Sequence, residues 1–119
     1  EISDRKKNSN ENGSLYNLSM SCSINSEIIS EGNLSSMNWT FEQIIERISY
    51  GATIFPGDVI GSGTVGTGCL LELNGTGKRN NSNFQEKWLK EGDIIEMSIE
   101  GLGKISNKII KDNSNYQIK

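Results

Sequence analysis

Two stretches of the chain alternate between apolar and polar side chains with a period close to two. Over residues 18–24 the apolar side chains are separated by serines, and over residues 95–99 isoleucine and methionine alternate with glutamate and serine. This period is typical of β-strands that bury one face. The turn-forming residues at 25–26 and 101–103 therefore predict two hairpins, whose return strands cover 27–30 and 105–110.

A period of three to four residues replaces this alternation after residue 40. Apolar side chains recur at positions 41, 44, 45 and 48, which puts them on one face of a helix. Thr40 and Gln43 have the spacing of a capping box, and Gly51 can supply the left-handed residue that ends a helix. We predict one main helix over about 41–50.

The segment after this helix again has short apolar runs between turn residues. Pro56-Gly57-Asp58 precedes Val59-Ile60, and the run over 69–73 ends at Asn74-Gly75. We interpret residues 58–60 and 70–73 as strands, and residues 74–83 as a solvent loop.

The length of 119 residues fits one domain. Residues 1–15 are mostly polar and are predicted to form a loose lead-in, so that residues 16–119 make up the domain. Strands outnumber helices in this reading. The expected fold class is therefore mainly β (α+β), with antiparallel or mixed strand pairing.

Charge and composition exclude several classes of protein. Twelve basic and 15 acidic residues give a net charge of −3, and the basic residues form no stripe, so no nucleic-acid partner is expected. No apolar run approaches the roughly 20 residues of a membrane span and no signal-peptide pattern is present, so we expect a soluble, cytoplasmic protein without membrane contact. Cys22 and Cys69 are expected to be reduced thiols, with a bridge between them as the alternative.

The glycines of residues 61–68 are the most distinctive local feature. Gly61-Ser62-Gly63-Thr64-Val65-Gly66 matches the Gly-x-Gly-x-x-Gly pattern of dinucleotide sites. Such a site needs a helix directly after the pattern, and we reject it because a strand is predicted there. The glycines either form a tight connection between strands or cradle an anion beside the Thr64 hydroxyl. Glu72, in an otherwise apolar run, is either a solvated or a functional carboxylate.

Several segments, in the same order, resemble the fumarylacetoacetate hydrolase family. Met37-Asn38-Trp39-Thr40 resembles the family's Met-x-Trp-[Ser/Thr] segment before a helix, and residues 56–64 resemble its Pro-Gly-Asp-…-Ser/Thr-Gly-Thr signature. Residues 66–73 resemble its glycine-rich passage into Leu-Glu-Leu, and residues 92–103 resemble its closing Gly-Asp-x-Val…Glu-Gly-Ile-Gly hairpin. The similarity spans about residues 16–111.

The resemblance implies the C-terminal portion of the family's catalytic domain, a partial mixed β-sandwich roll. The implied activity is that of a metal-dependent hydrolase of aromatic amino acid catabolism, which cleaves a carbon–carbon bond in a fumarylacetoacetate-like β-diketo acid. Matched position by position, Glu72 is the catalytic residue that activates water together with a histidine, while Thr64 and Gly63 bind a substrate carboxylate. Decarboxylase, isomerase and sugar-acid dehydratase activities within the family remain alternatives, as does a non-catalytic β-domain remnant.

The resemblance also implies that part of the catalytic machinery lies elsewhere. The family's acidic metal ligands, its lysine and its histidine belong to a segment before the matched one, and this chain has no histidine. We therefore expect Mg²⁺ or Ca²⁺ in the complete enzyme, no metal ligand on this chain, and little activity from the chain by itself. We expect a homodimer, or a complex with a complementing N-terminal polypeptide, that acts on a small β-diketo or 2-oxo acid.

Overall fold

The computed structural model describes the backbone of residues 7–10 and 13–112, and the side chains of residues 13–112. Within these residues the strands form two antiparallel sheets, a two-stranded sheet of β1 and β2 and a four-stranded sheet with the order β4-β3-β5-β6. The strands are β1 (Lys7–Asn10), β2 (Gly13–Tyr16), β3 (Ser19–Ile24), β4 (Glu27–Asn33), β5 (Ile94–Ile99) and β6 (Gly103–Lys108).

Both predicted hairpins are present in the four-stranded sheet. Asn25 and Ser26 connect β3 to β4 with positive φ angles of 49° and 69°, a backbone geometry that matches the right-handed twist of the flanking strands. The glycines at 101 and 103, with φ of 75° and 113°, connect β5 to β6. The mainly β (α+β) fold class is thereby confirmed. The pair β1–β2 lies, except for Tyr16, in residues 1–15, which the polar composition had assigned to a lead-in.

The four-stranded sheet has one apolar and one polar face, because successive side chains of a strand point to opposite sides. The register pairs Cys22 with Met97 and Met97 with Ile105, so these side chains share one face, called here the apolar face. On the opposite face the ammonium of Lys104 lies 2.5 Å from a carboxylate oxygen of Glu96. The polar face is therefore the one suited to water.

The predicted first helix is confirmed as α1 (Phe41–Ser49). The Gln43 backbone N–H donates to Thr40 Oγ1 at 3.3 Å, and the Thr40 backbone N–H donates to Gln43 Oε1 at 3.0 Å. Both halves of the capping box therefore form. Gly51 follows with φ of 84°. A small core lies where α1 meets β2: the Phe41 ring centroid is 5.9 Å from that of Tyr16. Tyr16 and, two residues later, Leu18 are the buried hydrophobic residues among those described.

The prediction for residues 70–80 is wrong. Instead of a strand followed by a loop, the chain forms a second helix, α2 (Leu70–Asn80), whose N-cap is Cys69. Its less exposed residues, at positions 70, 73, 74 and 77, have the spacing of one helix face. Asn74 and Gly77 lie on this face, and Gly75 lies beside it. Because none of these residues has a large apolar side chain, the spacing of apolar residues does not show the helical period.

The predicted strand over residues 58–60 is also wrong. A turn at 55–58 is closed by the Asp58 carboxylate, which accepts the Phe55 N–H at 2.8 Å. Beyond it residues 58–60 have no strand partner, and Val59 is 97% exposed. Two β-branched residues cannot make a strand when no neighbouring strand is available to pair with them. Among the described residues no helix is both long and apolar enough to cross a membrane.

Candidate functional site

The glycine segment, defined here as residues 61–68, contains no helix or strand and connects the turn at 55–58 to α2. Gly63 has φ of 90° and Thr67 has φ of 61°. Near its end the Gly68 N–H donates to the Val65 carbonyl oxygen at 2.8 Å. This conformation leaves Gly63 and Thr64 exposed.

The dinucleotide interpretation fails for a different reason than the one predicted. A helix does follow the glycine segment, since α2 begins at Leu70. However, the residues before the segment are not a strand, and the four-stranded sheet is antiparallel. A dinucleotide site requires a parallel β-α-β unit, and the described residues contain none.

Two cavities lie on either side of the glycine segment. The sheet cavity, with a volume of about 490 Å³, lies on the apolar face between the segment and strands β3, β4, β5 and β6. The neutral cavity, with a volume of about 350 Å³, lies between the segment and residues 33–39. Gly63, Thr64 and Val65 line both cavities, so these three residues of the segment form the ridge between them.

The neutral cavity is lined by side chains that can form hydrogen bonds but carry no charge. The residues that line it include Ser62 and Thr64, which carry hydroxyls, Asn38, which carries an amide, and Trp39. Among the described residues these three polar side chains form no hydrogen bond. They are therefore available to a ligand, and they could bind the oxygens of a carboxylate or carbonyl as neutral donors.

Glu72 lies apart from this ridge. It is exposed in the first turn of α2, where its N–H donates to Cys69 Sγ at 3.4 Å. It does not line either cavity beside the glycine segment. The structure therefore brings Gly63 and Thr64 together but does not bring Glu72 to them.

Helix α2 is held by the segment that follows it. The buried Asn74 amide donates to the Lys87 carbonyl oxygen at 2.8 Å and accepts the Lys87 N–H at 3.0 Å. A side chain at Gly77 would lie 2.5 Å from the Phe84 ring, so the ring packs directly on the helix backbone. At the end of the helix, hydrogen bonds from Lys78 and Trp88 hold the pKa of Glu86 below its ordinary value of 4.5.

A larger cavity, of about 580 Å³, lies along the outer side of α1. Its wall includes Trp39, Ile48 and Tyr50, and it contains neither Gly63, Thr64 nor Glu72. We regard the ridge as the better candidate site despite the smaller volumes beside it, because Gly63 and Thr64, the residues matched to substrate binding, lie on it.

The described residues do not contain a metal centre. No group of three or more His, Cys, Asp or Glu side chains within them could hold a metal ion. A divalent cation bound only by protein ligands from these residues therefore does not fit. Cys22 is half-buried and Cys69 is exposed, and both are free.

The sequence did not single out Asn38 or Ser62, which line the neutral cavity, as site residues. Asn38 and Ser62 stood within recognised motifs, and their polar character was the available signal.

Comparison with known proteins gives a consistent result. The family model described as fumarylacetoacetate (FAA) hydrolase C-terminal matches residues 3–110. The chain is similar to the mitochondrial oxaloacetate tautomerase FAHD2A of Homo sapiens, with 33% identity over 96 residues that cover 80% of this chain and 27% of that protein. It is also similar to the oxaloacetate tautomerase YisK of Bacillus subtilis, with 33% identity over 86 residues that cover 72% of this chain and 25% of that protein.

A further relative is an uncharacterised protein of Methanocaldococcus jannaschii, 30% identical over 93 residues that cover 78% of this chain and 32% of that protein. The chain thus spans about a quarter to a third of the length of the curated relatives it matches.

Proposed function

We propose that this chain, which belongs to the fumarylacetoacetate hydrolase family, is part of an enzyme that acts on a small 2-oxo dicarboxylic acid such as oxaloacetate. The enzyme would interconvert the keto and enol forms of this acid. In this reaction the substrate loses a proton from the carbon next to its carbonyl group and gains one on the carbonyl oxygen. No carbon–carbon bond breaks. The activity corresponds to the isomerase alternative within the family rather than to the hydrolase first expected.

Two observations support a tautomerase over a hydrolase. Relatives in Homo sapiens and Bacillus subtilis are named oxaloacetate tautomerases. In addition, Glu72, the residue matched to water activation, is exposed on α2 and lines neither cavity beside Thr64. Hydrolysis needs a base that aims water at the bond to be cleaved, whereas tautomerisation does not need an attacking water.

The contribution of this chain is to bind and orient the acid. The Thr64 hydroxyl, with the exposed backbone beside Gly63, would donate hydrogen bonds to one carboxylate of the substrate. The uncharged wall of the neutral cavity would receive the rest of the molecule, and its volume of about 350 Å³ lies within the range of small-molecule sites. The Thr64 position on the ridge is the observation that carries this proposal.

The divalent metal would come from outside these residues. Enzymes of this family generally use one, and it would polarise the substrate oxygens. The described residues contain no ligand set for it, so we propose that Mg²⁺ or Ca²⁺ is bound by another part of a longer protein or by a companion polypeptide. The proton-transferring groups would come from the same place. We also propose that the complete enzyme is a homodimer and that it lies in the cytoplasm.

The intact enzyme that contains this chain provides the test. Its tautomerase activity is followed through the ultraviolet absorbance of enol-oxaloacetate, and its hydrolase activity through cleavage of a β-diketo acid. We expect Thr64→Val to raise the KM for oxaloacetate roughly 10- to 100-fold, because a hydrogen bond to a charged group is lost. Thr76→Val, at an exposed position of α2, is the matched control and should leave KM unchanged.

The Glu72→Gln variant separates the two activities. A tautomerase should keep its turnover within about twofold, whereas a hydrolase that uses Glu72 as its base should lose at least about 100-fold. Unchanged KM in Thr64→Val would contradict the carboxylate-binding role. If the intact protein turned over neither acid, the non-catalytic alternative would replace both.

A further inference from the structure

Val65 is the residue that fastens the glycine segment to the sheet. Within residues 61–67 it is the side chain that is not exposed. Among the described backbone hydrogen bonds, none joins residues 59–67 to a strand, and the bond from Gly68 to Val65 is internal to the segment. The position of the segment therefore depends on where the Val65 side chain packs.

Val65 packs on the backbone of Gly32 in β4. A Cβ atom at position 32 would lie 2.5 Å from Val65 Cγ1 and 3.3 Å from Val65 Cγ2. The first of these distances is about 1 Å shorter than an ordinary contact between carbon atoms. Gly32 does not have a positive φ, so the requirement for glycine at this position is steric, since only glycine permits such a close approach.

We propose that Gly32 is a positioning residue of the substrate site: its missing side chain forms a socket for Val65, and the seated Val65 fixes the adjacent Thr64 hydroxyl on the ridge between the two cavities. The inference rests on the proposed role of Thr64 in binding a carboxylate. A methyl group at position 32 would push Val65, and Thr64 with it, by about 1 Å. Displacements of this size weaken the alignment of a bound substrate.

A double-mutant cycle in the intact enzyme tests the socket. Gly32→Ala should raise the KM for the 2-oxo acid about tenfold or more, while kcat changes less, because binding geometry rather than proton transfer is disturbed. Val65→Ala removes the two Cγ atoms and should raise KM about threefold through loss of the anchor. The Gly32→Ala/Val65→Ala enzyme should show the KM of Val65→Ala, because the new methyl group then meets only the Cβ of residue 65, at an ordinary contact distance of 3.5 Å.

Gly75→Ala is the matched control. This glycine lies in α2, has no atom within 4 Å of an added Cβ and does not have a positive φ. The substitution should leave KM unchanged. A KM in Gly32→Ala equal to that of Gly75→Ala, or additive effects in the double variant, would overturn the socket.

A second measurement makes the test independent of turnover. Backbone hydrogen exchange over residues 61–68 should accelerate in Gly32→Ala and return to the Val65→Ala level in the double variant. If Thr64→Val has no effect on KM while this pattern holds, the proposed function fails but the socket stands. If Gly32→Ala does not fold, Val65→Ala decides the matter: it must raise KM and accelerate exchange over residues 61–68, and unchanged values would overturn the proposal.

Discussion

Asn74 shows how one polar side chain can fix the position of a helix. It is 2% exposed, and its amide group forms two hydrogen bonds with the backbone of Lys87. The two bonds join α2 to the backbone of the segment that follows it, in the way that two neighbouring strands are joined. A buried amide is tolerated here because both its donor and its acceptor are paired.

Replacement of Asn74 by alanine should therefore destabilise the chain. The Lys87 N–H and carbonyl would lose their partners, at a cost of about 1–3 kcal/mol, partly offset by roughly 0.5 kcal/mol from the better helix propensity of alanine. Urea denaturation followed by circular dichroism measures the difference. Asn80→Ala, at an exposed position of the same helix, is the control, and equal midpoints for the two variants would contradict the role of Asn74.

At the scale of elements, α1 is attached to the rest of the chain by its first turn. Both carboxylate oxygens of Glu42 lie 3.3 Å from the Ser14 N–H of β2, which donates to them. The helix's own backbone N–H at residue 42 and the bonds from Ser14 hold the pKa of Glu42 below its ordinary value of 4.5. The ionised form of this carboxylate is thus favoured by the folded state.

The sign of the resulting pH dependence follows from that direction. A carboxyl group with a lower pKa in the folded state stabilises the fold above pH 4.5, and this contribution is lost as the pH falls below 4.5. We expect Glu42→Gln to lose less thermal stability than the wild type between neutral pH and about pH 3. Glu46→Gln is the control, because its carboxylate accepts no hydrogen bond among the described residues. Parallel pH profiles for wild type and Glu42→Gln would refute the prediction.

The two helices differ in how far local sequence determined them. For α1, the cap, the apolar face and the terminal glycine all lie within 12 residues of each other, from 40 to 51, and the prediction was confirmed. For α2, the stabilising contacts come from Phe84 and Lys87, which lie beyond its end. Glycine and asparagine are poor helix formers, so tertiary contacts had to override local preference.

At the scale of the whole molecule, the chain is more extended than a self-sufficient domain. Its radius of gyration is 17.8 Å, whereas a compact domain of this length has about 13.5 Å. The apolar face of the sheet leaves Met97 42% and Ile105 58% exposed. Exposed apolar surfaces of this kind favour association with another protein surface.

The chain produced by itself should therefore self-associate through the apolar face. In sedimentation velocity we expect Ile105→Lys to shift the population toward the monomer, because a charged side chain would then have to be desolvated in the contact. Ser106→Lys changes the neighbouring residue, which points to the polar face, and should not shift it. A monomeric wild-type chain at all concentrations would contradict this expectation.

The sequence by itself determined the family, both hairpins of the large sheet and α1, because each depends on residues close together in the chain. Only the tertiary structure decided that residues 70–80 are a helix, that residues 58–60 are not a strand, and that Val65 sits on Gly32. The physical reason is the same in each case. Whether a segment forms a strand, a helix or a packing contact depends on a partner that lies elsewhere in the sequence. Local propensity is too weak to decide without that partner.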